Sequence, residues 1–325
     1  MPQHGRHQPR RGSMQFWPRV RSKRIYPRIK NWPEIEETIP VAFAGYKVGM
    51  THFLINDNTF TPVTILEVPP IKVLGFRLYR YDINKGYQSM YEVLSNNIDE
   101  RVKRKIKTIV NNEDIIEDLK KADSLIEKTK LVKLIVHTQP WLTTVKKKKS
   151  EVFEIPIGGK DIKKAYEYAK NMINKELKLT DIFKEGEYID VISITKGHGF
   201  TGEVKRFGVT IQPREHKVGD SARHVQSRGA RGMHRIFPTT PMPGQYGFFR
   251  RTEYNKLILK ISDNPEEINP KSGWPHYGVI KNTWIAIKGS IGGSIKRLII
   301  LRKAIRPHKK EEKVKIEYIS LAPKN

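Results

Sequence analysis

The chain has 325 residues, with 61 Lys and Arg against 34 Asp and Glu, no Cys, and a formal charge of +27. That length suits one large domain or two modest ones, and a surface so charged repels itself unless a polyanion neutralises it. The missing Cys excludes disulfides, Cys-ligated zinc and thiol catalysis. The polar, basic start and the lack of a long apolar run argue against a signal peptide or a spanning helix, and for a cytosolic protein.

Residues 1–40 read as a basic N-terminal extension that cannot fold alone. They carry Pro2, Pro9, Pro18, Pro27, Pro33 and Pro40 and show neither helical nor strand period. Phe16, Trp17, Tyr26 and Trp32 interleave with the charges. Such rings serve either as platforms for stacked bases or as anchors on the protein's own core. Strand signals follow at Val41–Phe43, from Gly49 to Ile55, at Thr61–Val68 and at Val73–Tyr81. Residues 82–187 read as an inserted α+β subdomain. A helical spacing covers Glu113–Leu125, strands are expected at Leu131–Val136 and Val152–Ile157, and a helix capped by Asp161 runs to Leu177. Its apolar face is Ile162, Ala165, Tyr166, Ala169 and Ile173. Strands return at Tyr188–Thr195, Leu257–Ile261, Val279–Ile287 and Lys296–Ala304. Residues 41–81 and 188–305 thus form one β framework around the insert, with 306–325 as a charged C-terminal tail of mixed sign.

Charge is not spread evenly. Residues 1–30 hold nine basic residues and no acid, and residues 196–251 hold eleven against three. Residues 82–187 hold 22 against 18, an ordinary solvated surface, and the run Lys146–Lys149 reads as part of it. Within the two polycationic segments Arg outnumbers Lys, which favours bidentate grip on phosphate and stacking on bases. The span 196–251 shows no regular element, carries Pro238, Pro241 and Pro243, and is expected to be ordered only by its partner.

The catalytic signatures that the chain approaches all fail. Gly197-His198-Gly199-Phe200-Thr201-Gly202 fits G-x-G-x-x-G after a strand, but Gly208 and Pro213 interrupt what should be the following helix. A Walker loop fails because Glu203 and Val204 follow Gly202. The same glycines suit a backbone that approaches phosphate closely. His216, His224 and His234 lie among arginines, which disfavours a metal cation, and no nucleophile elbow exists. No cofactor is expected. An RNA-modifying enzyme would need one of these motifs, and a membrane-surface protein would need an amphipathic basic helix, which Pro and Gly preclude here.

Four motifs carry a resemblance. Arg11-Gly-Ser-Met-Gln-Phe-Trp-Pro-Arg19 with Arg21, Ala44-Gly-Tyr-Lys-Val-Gly-Met-Thr-His52, Thr195–Gly202 with Val204–Gly208, and Gly244–Lys256 run in order. Together they resemble ribosomal protein three of the large subunit, in its archaeal and eukaryotic form. The resemblance implies a mainly β fold, a translation-protein-type β-barrel with an inserted α+β subdomain and long RNA-binding N-terminal and loop extensions. It implies a structural, non-enzymatic constituent of the large subunit. The loop would point toward the peptidyl-transferase centre, and the globular part would lie beside large-subunit ribosomal protein fourteen. The expected partners are large-subunit rRNA and neighbouring ribosomal proteins, with no membrane and no homo-oligomer. The expected RNA contacts in the first part of the chain are Arg10, Arg11, Phe16, Trp17, Arg19, Arg21, Lys23, Arg24 and Lys47. In the loop they are Lys196, Gly197, His198, Gly199, Lys205, Arg206, Arg214, His216, Lys217, Arg223, Arg228, Arg231, Arg235, Arg250 and Arg251. The family's tryptophan at the loop tip aligns with Arg231, and no Trp occurs from 196 to 251. Arg231 would stack or bind phosphate in its stead.

Overall fold

The computed structural model describes residues 11–56, 59–106, 115–213, 219–225, 228, 229, 231–307 and 314–322. In chain order its strands are β1 (Ala42–Ile55), β2 (Thr59–Glu67), β3 (Ile71–Asp82), β4 (Gly86–Leu94), β5 (Leu131–His137), β6 (Val152–Pro156), β7 (Glu176–Leu177), β8 (Tyr188–Ile194), β9 (Gly197–Thr201), β10 (Gly244–Gly247), β11 (Arg250–Ser262), β12 (Trp284–Lys288), β13 (Leu298–Lys303) and β14 (Ile316–Ile319). The α-helices are α1 (Glu100–Lys103), α2 (Ile115–Ser124), α3 (Ile162–Met172) and α4 (Glu203–Phe207). The chain folds as two compact units. One is Ile25–Ser193 with Arg251–Asn325, and the other is Met1–Arg24 with Ile194–Arg250.

Two sheets build the first unit. The larger runs β13-β8-β11-β12-β2-β1-β14, and β13 also pairs with β1. Residues 42, 43 and 50–55, read as parts of separate strands, belong to one 14-residue strand whose first half is buried throughout. A strand covered on both faces loses the apolar-polar alternation that marks a half-buried one. Phe43, Tyr46, Phe53, Ile65, Leu66, Trp284, Ile285 and Leu301 fill this core. Each such side chain contributes roughly 1.5–3 kcal/mol by leaving water. Across the β8–β13 pair Asp190 faces Arg302. The buried carboxylate accepts from Arg302 Nη2 at 2.5 Å, from the Ile305 amide at 3.1 Å and from the Asn255 amide at 3.1 Å. Three donors satisfy a charge that would otherwise be costly to bury.

The smaller sheet runs β4-β3-β5-β6, with β7 paired to β3. Three expectations change here. Ile71–Asp82, grouped from sequence with the first β segment, pairs with β4, β5 and β7 instead. Gly86–Leu94 is a strand that the reading of 82–187 missed, although its exposure alternates as an edge strand's should. The helix begun at Ile162 stops at Met172 rather than Leu177, because Asn174 takes a left-handed φ of 65° and Glu176–Leu177 then joins β3. Asp161 stands at the cap position without a capping bond and pairs with Lys164 at 3.1 Å. The foreseen face is correct: Ala165, Tyr166 and Ala169 are buried, and Tyr166 meets Phe76 edge-on at 5.4 Å. Ile135 alternates with Leu134 and Val136, so it faces the other side of the sheet, where it clusters with Leu74, Ile98 and Val102. That cluster seats α1.

The remaining strand expectations shift at their ends. β11 extends to 250–262, β12 begins only at Trp284, and β13 spans 298–303. The tail, read as merely charged, contains β14, which pairs with the end of β1. Residues 113 and 114 of the first expected helix lie outside the described residues.

Candidate nucleic-acid interface

The second unit brings together the two polycationic segments, which are separated by some 170 residues of chain. Its frame is a two-stranded ribbon in which Gly244 pairs with Thr201 and Tyr246 with Gly199. The expectation of no regular element in 196–251 is therefore corrected. Besides this ribbon the span holds α4 and short 3-10 turns at Gly219–Arg223 and Arg231–Met233. A ribbon of Gly, His and aromatic residues lacks the β-branched apolar run that announces a strand, which is why it escaped notice. The ribbon is antiparallel and leads into a helix of five residues, so the G-x-G-x-x-G segment has no βαβ context.

The N-terminal segment packs on this unit instead of trailing from it. Gly12 lies against Thr239, and the Ser22 amide donates to the Phe248 carbonyl at 2.9 Å. Ser13 Oγ accepts from the Gln15 amide at 3.2 Å and starts a short 3-10 turn at Met14–Phe16. Arg19 Nη2 donates to the Ser13 carbonyl at 2.7 Å, and its guanidinium stands 5.1 Å from the Phe207 ring centre and 6.0 Å from that of Trp17. Arg206 approaches Phe207 at 5.0 Å, donating from Nε to the Gln245 carbonyl at 3.0 Å and from Nη1 to that of Met242 at 2.7 Å. Burial lowers the pKa of Arg19, and burial followed by the charge of Arg19 lowers that of Arg206. Both guanidinium groups remain charged at neutral pH. Arg19 and Arg206 thus clamp α4 and the ribbon together.

Other cations face solvent: Arg11, Arg21, Lys23, Arg24, Lys196, Lys205, Arg223, Arg228, Arg235 and Arg250. Arg251 is half-buried. Arg21 lies 5.6 Å from the Phe248 ring and Arg235 5.8 Å from Phe237. His198 stacks on Tyr246 at 5.0 Å with the rings 20° apart. Phe200 is 79% exposed, Phe16 50% and Trp17 40%. Gly199 turns at φ +68° with nothing near its missing Cβ, so the backbone there is open to close approach. The unit's Glu203 is buried, with His224 Nδ1 at 3.6 Å and Arg228 Nη2 at 4.0 Å.

Two corrections concern the expected contact residues. Lys47 belongs to the other unit and is buried there, its ammonium donating to the carbonyls of Ile291 and Gly293. Burial lowers its pKa despite the charge of Glu253. In that place it cannot reach a phosphate. The four aromatics of 1–40 divide between the two readings: Tyr26 is buried 6.1 Å from Phe153 and Trp32 packs on the core, whereas Phe16 and Trp17 stay open. Arg10, Arg214, His216 and Lys217 lie outside the described residues, and of Arg231 only the backbone is described. Sequence reasoning missed Phe207 and Tyr246 as ring partners and Phe200 as an exposed ring, although each sits inside a quoted motif. Among the described residues no helix is long and apolar enough to cross a membrane, and no three His, Asp or Glu converge on a metal position.

The family model for ribosomal protein L3 matches residues 1–325. The chain belongs to the ribosomal protein L3 family. Its role is accordingly structural, not enzymatic. Relatives described as large ribosomal subunit protein uL3 share the full length. That of Nanoarchaeum equitans is 53% identical over 332 residues, covering 100% of both chains. Those of Methanocaldococcus jannaschii and Methanothermobacter thermautotrophicus are 48% and 43% identical, covering 97% and 98% of both chains. In this chain the quoted motifs supply the ribbon, the clamp and Gly12.

Proposed function

We propose that this chain, a structural constituent of the large subunit of the cytoplasmic ribosome, binds and stabilises large-subunit rRNA through its second unit. One observation carries the reading. Segments distant in sequence fold into one unit whose solvent-facing side chains include most of its described Arg and Lys and the rings of Phe16, Trp17 and Phe200, while its Glu203 is buried. Arg and Lys neutralise phosphates and release counterions, which supplies affinity without sequence preference. Open rings and the Gly197–Gly199 backbone take bases and close backbone approach. Arg10, Arg214, His216, Lys217 and Arg231, from the same two basic segments, are read as contacts to the same RNA. Arg231, in the position of the family's tryptophan, stacks or binds phosphate near the peptidyl-transferase centre. Arg206 and Arg19 act by holding this surface together, and Lys47 drops out of it.

The pairings β1–β2–β12–β11–β8–β13 and back to β1 read as the translation-protein-type barrel. The smaller sheet, from about β3 to β7, reads as its inserted subdomain, and the extension and loop as its RNA-bound arms. Neighbouring ribosomal proteins, with ribosomal protein fourteen among them, are further partners of a chain that acts as a single copy. Filter binding of the full chain to large-subunit rRNA across a salt series tests the reading. Affinity should fall by roughly a hundredfold or more between about 50 and 200 mM salt. A flat dependence would sink it.

A further inference from the structure

The smaller sheet carries a second concentration of cations that neither segment reveals alone. α1 and the two residues after it carry Arg101, Lys103, Arg104 and Lys105, and the loop before β6 carries Lys146–Lys149. One carboxylate joins them: Glu151, 3% exposed, accepts from Lys105 Nζ at 3.3 Å and from Lys147 Nζ. Arg101 lies 4.4 Å over the Trp141 ring, which ties the start of α1 to the loop a second time. Two of these eight cations, one from each segment, thus meet on one buried acid. The other acids at this place are Asp99, whose carboxylate caps α1 by accepting from the Arg101 amide at 2.9 Å, and Glu100.

Among the described residues the side chains of Lys103, Arg104, Lys146, Lys148 and Lys149 meet no acid within ion-pair distance. The cations are also held in place. Val102 is fully buried in the cluster with Leu74, Ile98 and Ile135, so α1 cannot swing away to relieve repulsion. Fixed like charges weaken a free fold and strengthen binding to a polyanion, because little ordering cost remains at binding. Stacking occupies the flat face of the Arg101 guanidinium and leaves its N–H edge, the part that grips phosphate oxygens.

We propose that this face is a second rRNA-backbone contact, borne by the smaller sheet rather than by the extensions. It rests on the rRNA-binding reading above and adds a site to it. The occupant is a phosphate backbone: among the described residues the face offers cations and the Trp141 ring, whose chemistry matches phosphate and base rather than an apolar partner.

The test uses the full chain with Lys146, Lys148 and Lys149 changed together to Ala. All three are exposed and meet no acid among the described residues, so the thermal midpoint should not fall below wild type. Filter binding to large-subunit rRNA should weaken about tenfold at physiological salt, and the slope of log affinity against log salt should fall by about two to three. The same variant is measured against poly-glutamate. A wild-type slope retained by the variant overturns this inference and leaves the second unit's role standing, whereas a flat slope in wild type overturns both. Weaker binding to poly-glutamate with rRNA binding unchanged overturns it too, and assigns the face to an acidic protein.

Discussion

Gly12 shows how one residue can govern the whole N-terminal arm. It turns at φ +69°, and a Cβ there would stand 1.7 Å from the Thr239 carbonyl oxygen. Neither strain nor overlap can be relieved by a rotamer, since both involve backbone. Gly12→Ala should cost about 1–2 kcal/mol for the left-handed conformation alone, with steric displacement added. The arm from Arg11 to Trp17 should then lift from Thr239, while the cation–ring contacts of Arg19 lose their geometry. Limited trypsin digestion of the RNA-free chain is the measurement. Cleavage after Arg19 and Arg21 should become at least severalfold faster than in wild type, and equal rates would mean the arm is held elsewhere. Lys47 makes the converse point. A lysine in a basic protein is not thereby a phosphate ligand, and here two carbonyls of the chain take its protons.

Among the elements, α2 and α3 are joined by Asp123, which accepts from Lys170 Nζ at 2.6 Å and from Tyr166 Oη at 2.8 Å. The Lys170 bond first, and then the Tyr166 bond, hold the Asp123 carboxyl below its ordinary value. A group whose folded pKa is depressed contributes stability above its unfolded value, near 3.9, and loses it as pH falls through the folded one. The contact between the helices should therefore weaken only below about pH 4. NMR titration of the Asp123 carboxyl should show a midpoint below that of a free aspartate. Asp123→Asn should remove the corresponding acid-side slope of stability while changing little at pH 7, because the pair is half exposed and screened. A normal Asp123 midpoint would show that the pair forms only transiently.

For the whole molecule, the sheets and the RNA-facing surface draw on different parts of the chain. Among the described residues neither sheet takes a strand from 223–235, and β9 and β10 both lie outside that span. Replacing 223–235 by a short Gly-Ser linker should leave the thermal midpoint within a few degrees of wild type. It should lower the salt slope of rRNA binding, because Arg223, Arg228, Arg231 and Arg235 go with it. The yield of large subunits in cells relying on this variant should drop. Full yield from the deletion would show that the loop tip is dispensable for assembly.

Much of this was legible in the residues themselves. Strands rich in Val, Ile and Phe, the amphipathic face of α3, the polarity of 1–30 and 196–251 and the four motifs are all local patterns, and local patterns follow from periodicity and side-chain chemistry. Pairing across hundreds of residues is not local. No window of sequence says that Ile71–Asp82 leaves β2's sheet for β5's, that β1 runs unbroken through Gly45 and Gly49, or that Ile316–Ile319 returns to it. Nor does charge pattern tell a lysine in the core from one in water, as Lys47 shows, because burial depends on what the rest of the chain places around it. The two basic stretches of the smaller sheet read singly as solvated surface. They become one face only because Glu151 and Trp141, supplied by the fold, hold both in the same place.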